Sequence, residues 1–145
     1  MSHPSVPMTR HQTDTFLSEV RNAVIATNRY DGAPQLSTVW YLYEHGLIYV
    51  GFEAKSAKHR NIMRDQRVSM CVGGEHPDSR TVTIYGTAEY IDKGDPRFKD
   101  VTSRIHVRYS KTEEDAQHRL GTAQSNIERM LIVINPDKIL ARDYN

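Results

Sequence analysis

A short basic segment contains the side chains whose types and spacing are best suited to chemistry. Four basic residues, a serine and an amide occur together in Lys55-Ser56-Ala57-Lys58-His59-Arg60-Asn61. Ser56 is suited to cap a helix, and the free amides at a helix start attract anions. Lys58 would add a point charge beside them. The segment therefore predicts a seat for a phosphate group.

Strand patterns surround this basic segment. Alternating side chains over residues 35–43 and β-branched or aromatic content over 47–52 predict two strands before it, and residues 68–72 predict one after it. Further strands are predicted over residues 23–27, 80–91 and 129–135, the last closed by Pro136 and Asp137. Gly86 indicates a bulge or close approach. Six strands with short links predict a mainly β fold, a barrel with the basic turn at its rim.

Helical patterns complete the predicted fold. They cover residues 10–21, residues 57–64 and a segment that Asp95 and Pro96 open as N-cap and first helical residue. Residues 113–124 are polar and form either a helix or a loop. We expect Val20 and Met63 to be buried, and Ile139 and Leu140 to pack behind the last strand. A loose arm over residues 1–8 should precede a single domain over 9–145.

Composition excludes several classes of function. A formal net charge of +1 with a pI near 7.9 gives no field that favours duplex nucleic acid, and the basic residues cluster in one turn instead of lining a groove for single strands. No apolar run approaches the ~20 residues of a membrane helix. Cys71 is the only cysteine and lies between apolar neighbours, which predicts a buried thiol in a reducing, cytoplasmic setting.

Metal and nucleotide motifs are also missing from the sequence. The seven histidines include no pair at the spacing i, i+4 and no nearby cysteine, so no metal site is predicted, and His59 and His76 are expected at the surface. There is no Gly-x-Gly-x-x-Gly segment after a strand and no Walker loop.

Three segments together resemble a known family. They are Gly32-Ala33-Pro34-Gln35-Leu36-Ser37-Thr38-Val39-Trp40-Tyr41, the pair Lys58-His59-Arg60-Asn61-Ile62 and Asp65-Gln66-Arg67-Val68-Ser69, and Tyr85-Gly86-Thr87-Ala88-Glu89. The chain resembles the flavin and deazaflavin oxidoreductases of the pyridoxamine-phosphate-oxidase-like split barrel over about residues 14–141. The resemblance implies a six-stranded split β-barrel with flanking helices, and a homodimer with the cofactor in a groove at the subunit interface.

The chain departs from true pyridoxamine-phosphate oxidases at the phosphate turn. It has Ser56-Ala57-Lys58 where those enzymes resemble Ser-Arg-Lys, and it lacks their long C-terminal substrate segment. The Ala-Lys-x-Arg-Asn pattern resembles instead the branch that uses the deazaflavin F420, whose phosphate and glutamate tail would need a basic groove such as Lys55, Lys58, Arg60 and Arg64 provide. The expected function is hydride transfer to a small conjugated organic substrate. FMN as cofactor, or a carrier of FMN, F420 or haem without turnover, are the alternatives.

The resemblance and the chemistry of a planar ring with an anionic arm together select the candidate binding residues. They are Ser37, Thr38, Val39, Trp40, Val50, Gly51, Lys55, Ser56, Lys58, Arg60 and Asn61. Plainer interpretations are that Trp40 belongs to the core or a dimer interface and that Lys58 and Arg60 are solvated helix charges.

No catalytic side chain is predicted, because the cofactor carries the hydride. Tyr85 and Tyr109 are candidate proton donors, although tyrosines in such positions more often pack. The basic, aromatic segment 104–109 either closes the substrate pocket or is the cationic end of an amphipathic helix.

Overall fold

The computed structural model describes residues 4–112, 114–115, 118 and 128–145. The strands are β1 (Val6–Pro7), β2 (Ala23–Asn28), β3 (Pro34–Val39), β4 (Tyr41–Glu44), β5 (Leu47–Glu53), β6 (Arg67–Gly73), β7 (Arg80–Ile91) and β8 (Arg129–Asp143). The helices are α1 (Arg10–Ser18), α2 (Ala57–Arg64) and α3 (Pro96–Tyr109).

All of these strands belong to one antiparallel sheet in the order β3-β2-β6-β7-β8-β5-β4, with β1 paired to β8. Strands β3 and β4 lie at the two ends of this order, yet only Trp40 separates them in the chain. The sheet must therefore curl until its two edges lie side by side, which produces a barrel. The predicted mainly β split-barrel fold with flanking helices is confirmed. The described residues form eight strands instead of six, because the backbone breaks at Trp40 and the short β1 is added.

The last strand is much longer than the sequence indicated. We expected it to end before Pro136, with Ile139 and Leu140 packed behind it; instead β8 continues to Asp143, and both residues are exposed on the sheet. Pro136 pairs with Gly86 where the register shifts between Tyr85 and Gly86. A Cβ on Gly86 would lie 2.4 Å from the Asn135 carbonyl oxygen, so the predicted close approach at Gly86 is confirmed. A proline is tolerated at such an irregularity because the regular ladder is already interrupted.

Helix α1 is shorter than predicted. Thr9 and Gln12 form a capping box at its start, and the chain leaves helical geometry at Glu19. Val20 therefore falls outside the helix and is 58% exposed, contrary to our expectation that it is buried.

Helices α2 and α3 begin where the sequence indicated. The Ser56 hydroxyl accepts a hydrogen bond from the His59 amide, and the Asp95 carboxylate accepts one from the Arg97 amide, with Pro96 in the first turn. On α2 Ile62 is fully buried, whereas Met63 is 66% exposed and the expectation of its burial is wrong. One face of a two-turn helix has room for few core residues.

The core is divided into two clusters by the curled sheet. The larger fills the barrel, with Tyr41, Ile84 and Ile134 at its centre, and the smaller lies between the outer side of the sheet and α3, with Leu131 and Val101. Cys71 lies on the outer face of β6 and is exposed, so the prediction of a buried thiol is wrong. Odd and even positions of a strand face opposite sides, and Met70 and Val72 take the inner side.

The first described residues run along the end of β8. Within the arm predicted over residues 1–8, Val6 pairs with Asp143 and Pro7 with Arg142, and the Met8 amide donates to the Ala141 carbonyl oxygen over 3.0 Å. Within the described part of the chain, no helix has both the length and the apolar character needed to cross a membrane. Most of the segment 113–124 lies outside the described residues.

Candidate functional site

A groove of about 550 Å³ lies on the side of the sheet that α3 covers. The elements around it are the end of β3, the second half of β5, the start of α2, the middle of α3 and the start of β8. The lining residues are Asn22, Thr38, Val39, Trp40, Gly51, Phe52, Glu53, Ser56, Lys58, Thr102, Ile105, His106, Arg129 and Met130. The residue pairing Phe52–Met130 and Glu53–Arg129 runs along its floor.

One end of the groove is basic. Ser56 caps α2, its hydroxyl 3.3 Å from the His59 amide, and Lys58 follows in the first helical turn. Arg129 begins β8 opposite Glu53. The Ala54 amide donates to the Glu128 carbonyl oxygen over 2.9 Å, which fastens the start of β8 beside the turn before α2. Two cations from separate elements therefore meet the open amides of a helix start.

The other end has a flat aromatic wall. The ring of Trp40 stacks on Tyr109 with centroids 4.9 Å apart and planes 3° apart, and His106 meets Trp40 edge-on at 6.1 Å. The Tyr109 hydroxyl donates to the Arg21 carbonyl oxygen over 2.5 Å and accepts from the Tyr41 amide over 3.3 Å. These bonds hold Tyr109 in place, so Trp40 is locked between β3, β4 and α3.

Gly51 opens the middle of the groove. Its neighbours Val50 and Phe52 point into the barrel core, so a side chain at Gly51 would point to the opposite face, where the groove lies. The nearest atom to a Cβ built there is the Met130 carbonyl oxygen at 3.8 Å. The surrounding protein leaves space at this point that any larger residue would fill.

The structure brings six of the eleven candidate binding residues to this groove. Thr38, Val39, Trp40, Gly51, Ser56 and Lys58 all line it.

The other five candidates lie elsewhere. Val50 is fully buried in the core, and the Ser37 side-chain oxygen is buried with no hydrogen-bond partner among the described residues. Lys55 and Arg60 are exposed, and Arg60 donates to the Lys55 carbonyl oxygen over 3.2 Å. Asn61 is buried.

Asn61 fastens α2 to the barrel. Its side-chain nitrogen donates to the Thr27 hydroxyl over 3.0 Å and to the Gln35 side-chain oxygen over 2.9 Å, which uses both of its N–H groups. Its side-chain oxygen accepts from Arg64 over 3.0 Å. These contacts join α2 to β2 and β3, so the structure gives Asn61 a role in positioning the helix.

His59 also braces α2 and is half-buried, so the expectation of a surface position is wrong. Its Nδ1 lies 2.6 Å from the hydroxyl of Tyr90 on β7, and the two rings meet edge-on at 5.3 Å. Burial raises the pKa of Tyr90 to about 12, which keeps this hydroxyl protonated. His76, by contrast, is exposed as predicted.

Neither candidate tyrosine is placed as a proton donor. Tyr85 is exposed on the outer face of β7, and Tyr109 already donates its hydroxyl proton to Arg21. His106, buried and lining the groove, is the titratable side chain that α3 brings there. Residues 104–109 form the end of α3, with His106 and Arg108 in its last turn, while Ile105 and His106 also line the groove, so both interpretations of this segment fit its placement. The described residues contain no cluster of ligands suited to a metal ion.

Sequence reasoning missed the lining residues Asn22, Phe52, Glu53, Thr102, Arg129 and Met130, and it named Ile105 and His106 only as part of the segment 104–109. Thr102, Ile105 and His106 follow the spacing i, i+3, i+4 of one helical face, which was a signal for a buried stripe but did not identify what it covers. Arg129 stands before an apolar strand and had no local signal at all.

Comparison with known proteins agrees with this fold. The sequence model of the pyridoxamine 5'-phosphate oxidase family matches residues 9–143, and the chain belongs to this flavin-binding split-barrel family. Members are commonly dimeric.

Among solved structures, the chain is similar to a conserved hypothetical protein from Mycobacterium tuberculosis, with a TM-score of 0.81 and 25% identity over 100% of this chain and 91% of the other. An F420 reductase gives a TM-score of 0.68 and 24% identity, with 92% and 98% covered. The haem storage protein HutZ from Vibrio cholerae gives a TM-score of 0.75 and 15% identity over 94% of this chain and 96% of the other.

Proposed function

We propose that this protein is an oxidoreductase that binds the deazaflavin F420 in the groove and transfers hydride to a small conjugated organic substrate. The observation that carries the proposal is the combination of a cationic helix start at one end of the groove with a flat aromatic wall at the other. A planar redox ring with an anionic arm matches both ends. The open space beside Gly51 and the buried, unpartnered Nε of Arg129 also fit such a group.

The protein's part in the reaction is to bind, orient and exclude water. Lys58 and Ser56 hold the anionic arm, and Trp40 with Thr38 and Val39 forms the surface that the ring contacts. Thr102, Ile105 and His106 on α3 border the remaining space and keep water from it. The hydride is supplied by the bound cofactor, so no nucleophile is required in the groove.

F420 is favoured over FMN by the cations beyond the groove. Lys55 and Arg60 are exposed next to the phosphate turn, and no ion pair engages either of them within the described residues. A cofactor tail that carries several carboxylates would bind more tightly because of these positive charges. The single phosphate of FMN would contact Lys58 and would not extend to Lys55 and Arg60.

A homodimer is part of the proposal. On the outer sheet face Val24 pairs with both Thr38 and Cys71, and Leu36 beside them is 65% exposed. Thr38 also lines the groove, so a second copy that covers this face would border the cofactor. Wild-type protein should sediment as a dimer and the Leu36→Glu variant as a monomer, with Val20→Glu as an exposed apolar control. A monomeric wild type at high concentration would remove the shared groove.

The cofactor is tested by spectrum and titration. The absorbance of the purified protein distinguishes FMN, F420 and haem, and titration of apoprotein with F420 and FMN gives the two dissociation constants. F420 should bind at micromolar concentration or below, and the double variant Ser56→Ala/Lys58→Ala should weaken binding by about 10- to 100-fold. Lys99→Ala, which changes an exposed lysine of α3, is the control. If neither cofactor binds the wild type, the proposed function is wrong.

A carrier without turnover is the second candidate. Its support is the shared fold with a haem storage protein and the small number of ionisable side chains that line the groove among the described residues, namely Glu53, Lys58, His106 and Arg129. Reduced F420 incubated with enones, quinones and tetrapyrroles decides between the two. Rapid oxidation of the cofactor by any of these supports the enzyme, and tight binding with no oxidation supports the carrier.

We also propose a cytoplasmic location, because an exposed lone thiol such as Cys71 persists in a reducing compartment.

A further inference from the structure

Arg129 lies at the basic end of the groove, although sequence patterns did not identify it. Arg129 is the first residue of β8, lies opposite Glu53 and lines the basic end of the groove. Its Nε is buried, and that atom has no hydrogen-bond partner in the described part of the chain. No ion pair of the guanidinium is found there either, although Glu53 is also a lining residue of the groove.

Most other arginines among the described residues have side-chain partners within the chain. Several contact a carboxylate within 3 Å, as in the pairs Arg21–Glu19, Arg67–Asp65, Arg80–Asp78, Arg97–Asp95 and Arg104–Glu44. Arg108, whose Nε is also buried without a hydrogen-bond partner among the described residues, donates from its other two nitrogens to the backbone carbonyl oxygens of Ser18 and Leu17. The chain has 18 aspartates and glutamates for 19 lysines and arginines, so carboxylate partners are nearly as numerous as cations. An arginine left without a partner inside a groove therefore stands out.

The environment of Arg129 specifies the missing partner. Burying a charged donor without an acceptor is unfavourable, so a ligand that supplies acceptors is expected to lie against Nε. The guanidinium fork matches two oxygens of a phosphate or carboxylate, and Ser56 and Lys58 at the start of α2 line the same space. An oxyanion there would be held from two sides, by β8 and by α2.

We infer that Arg129 is the second cation of an oxyanion subsite at the basic end of the groove, and that it grips the phosphate of the cofactor's arm through its fork while Lys58 neutralises the charge. The inference rests on the proposed function. It adds a residue that determines whether a phosphorylated or an unphosphorylated ring is accepted. Without Arg129, the groove would retain the ring and lose its preference for the phosphate.

The experiment measures binding of matched ligands to apoprotein by fluorescence quenching. FMN is compared with riboflavin, and F420 with its deazaflavin core that lacks the phosphate arm. For Arg129→Gln, affinity for FMN and F420 should fall by about 10- to 100-fold, while affinity for the two unphosphorylated rings stays within about twofold. Arg129→Lys should recover part of the loss, because it restores charge without the fork. Arg142→Gln, at the opposite end of the same strand, is the control. It should change neither the affinity of FMN relative to riboflavin nor that of F420 relative to its unphosphorylated core.

A thermal measurement separates this subsite from the proposed function. Inorganic phosphate should raise the melting temperature of the wild type and not that of Arg129→Gln, and without any ligand the variant should melt no lower than the wild type. If Arg129→Gln keeps the full preference for phosphorylated rings, the inference is wrong and the proposed function stands. If neither cofactor binds the wild type, the proposed function fails, and the phosphate shift alone decides the subsite. If inorganic phosphate raises the melting temperature of the wild type and of Arg129→Gln equally, the proposed oxyanion subsite is wrong.

Discussion

The rings of Trp40 and Tyr109 stack with their planes 3° apart. The Tyr109 hydroxyl also accepts a hydrogen bond from the amide of Tyr41, which follows Trp40 and lies 68 positions before Tyr109 in the chain. Trp40 is the residue at which the chain passes from one sheet edge to the other, and Tyr109 is the last residue of α3. The stack therefore joins barrel closure, helix docking and the wall of the groove in a single contact.

This stack predicts a graded response to substitution at Tyr109. Tyr109→Phe keeps the ring and removes the hydroxyl, at a cost of ~0.5–1.5 kcal/mol of unfolding free energy. Tyr109→Leu also removes the stack and should cost about 0.5–1.5 kcal/mol more. Urea denaturation followed by the fluorescence of Trp40, the chain's single tryptophan, measures both values. Tyr30→Leu changes an exposed tyrosine and should have almost no effect; equal costs for all three variants would contradict the assigned role.

Gly51 predicts a separation of binding from stability. Gly51→Val should place methyl groups in the groove and weaken F420 or FMN binding by about tenfold or more, a loss of ~1.4 kcal/mol or more. The fold should persist, because a Cβ at Gly51 meets no atom closer than 3.8 Å. Gly73→Val is the matched control, since a Cβ at that strand residue meets nothing within 4 Å and the position lies outside the groove lining. Unchanged ligand affinity in Gly51→Val would show that the ring binds elsewhere.

Asn61 is predicted to act through stability. Asn61→Ala leaves the Thr27 hydroxyl without its donor in a buried position and should lower the unfolding free energy by about 1–3 kcal/mol. Arg60→Ala, one residue earlier on the exposed side of α2, should change it by less than ~0.5 kcal/mol. Thermal and urea unfolding of the two variants provide the comparison. A stable Asn61→Ala protein that binds F420 weakly would instead make Asn61 a direct ligand.

Three carboxylates predict loss of stability in acid. Hydrogen bonds from Arg67, Arg80 and Arg97 hold the pKa of Asp65, Asp78 and Asp95 below the ordinary value of 3.8. A carboxyl whose pKa is lower in the folded state binds fewer protons there than in the unfolded chain. Its contribution to the free energy of unfolding is therefore complete above the ordinary pKa and is lost as the pH falls through the lower, folded pKa. The free energy of unfolding measured with urea should therefore receive a constant contribution from these three groups near neutral pH, and this contribution should decline below about pH 4.

The variant Asp78→Asn tests the source of this decline, since it removes the carboxylate that Arg80 contacts in two places. The variant should lose part of the acid dependence, whereas Asp137→Asn, at an exposed position, should keep it. An identical pH profile in Asp78→Asn and the wild type would assign the decline to other groups.

Much of the fold was determined by local patterns in the sequence. Alternation and β-branched content located the strands around the basic turn, and Ser56 and Asp95 fixed two helix starts, because a cap acts within three residues of chain. The close approach at Gly86 was also visible, since only a glycine fits where another backbone comes that near. The continuation of β8 through Pro136 was not, because it depends on pairing with that distant bulge.

The candidate site divides in the same way. Lys58, Ser56 and the segment from Thr38 to Trp40 were identified because their chemistry is written in adjacent residues. Arg129, Thr102 and the Trp40–Tyr109 stack required the tertiary structure, since the closing of the sheet and the docking of α3 bring together residues that are far apart in the chain. The inward and outward choice at Cys71 and Val50 was likewise decided by the curvature of the barrel, which buries one strand face fully and leaves part of the other at the surface.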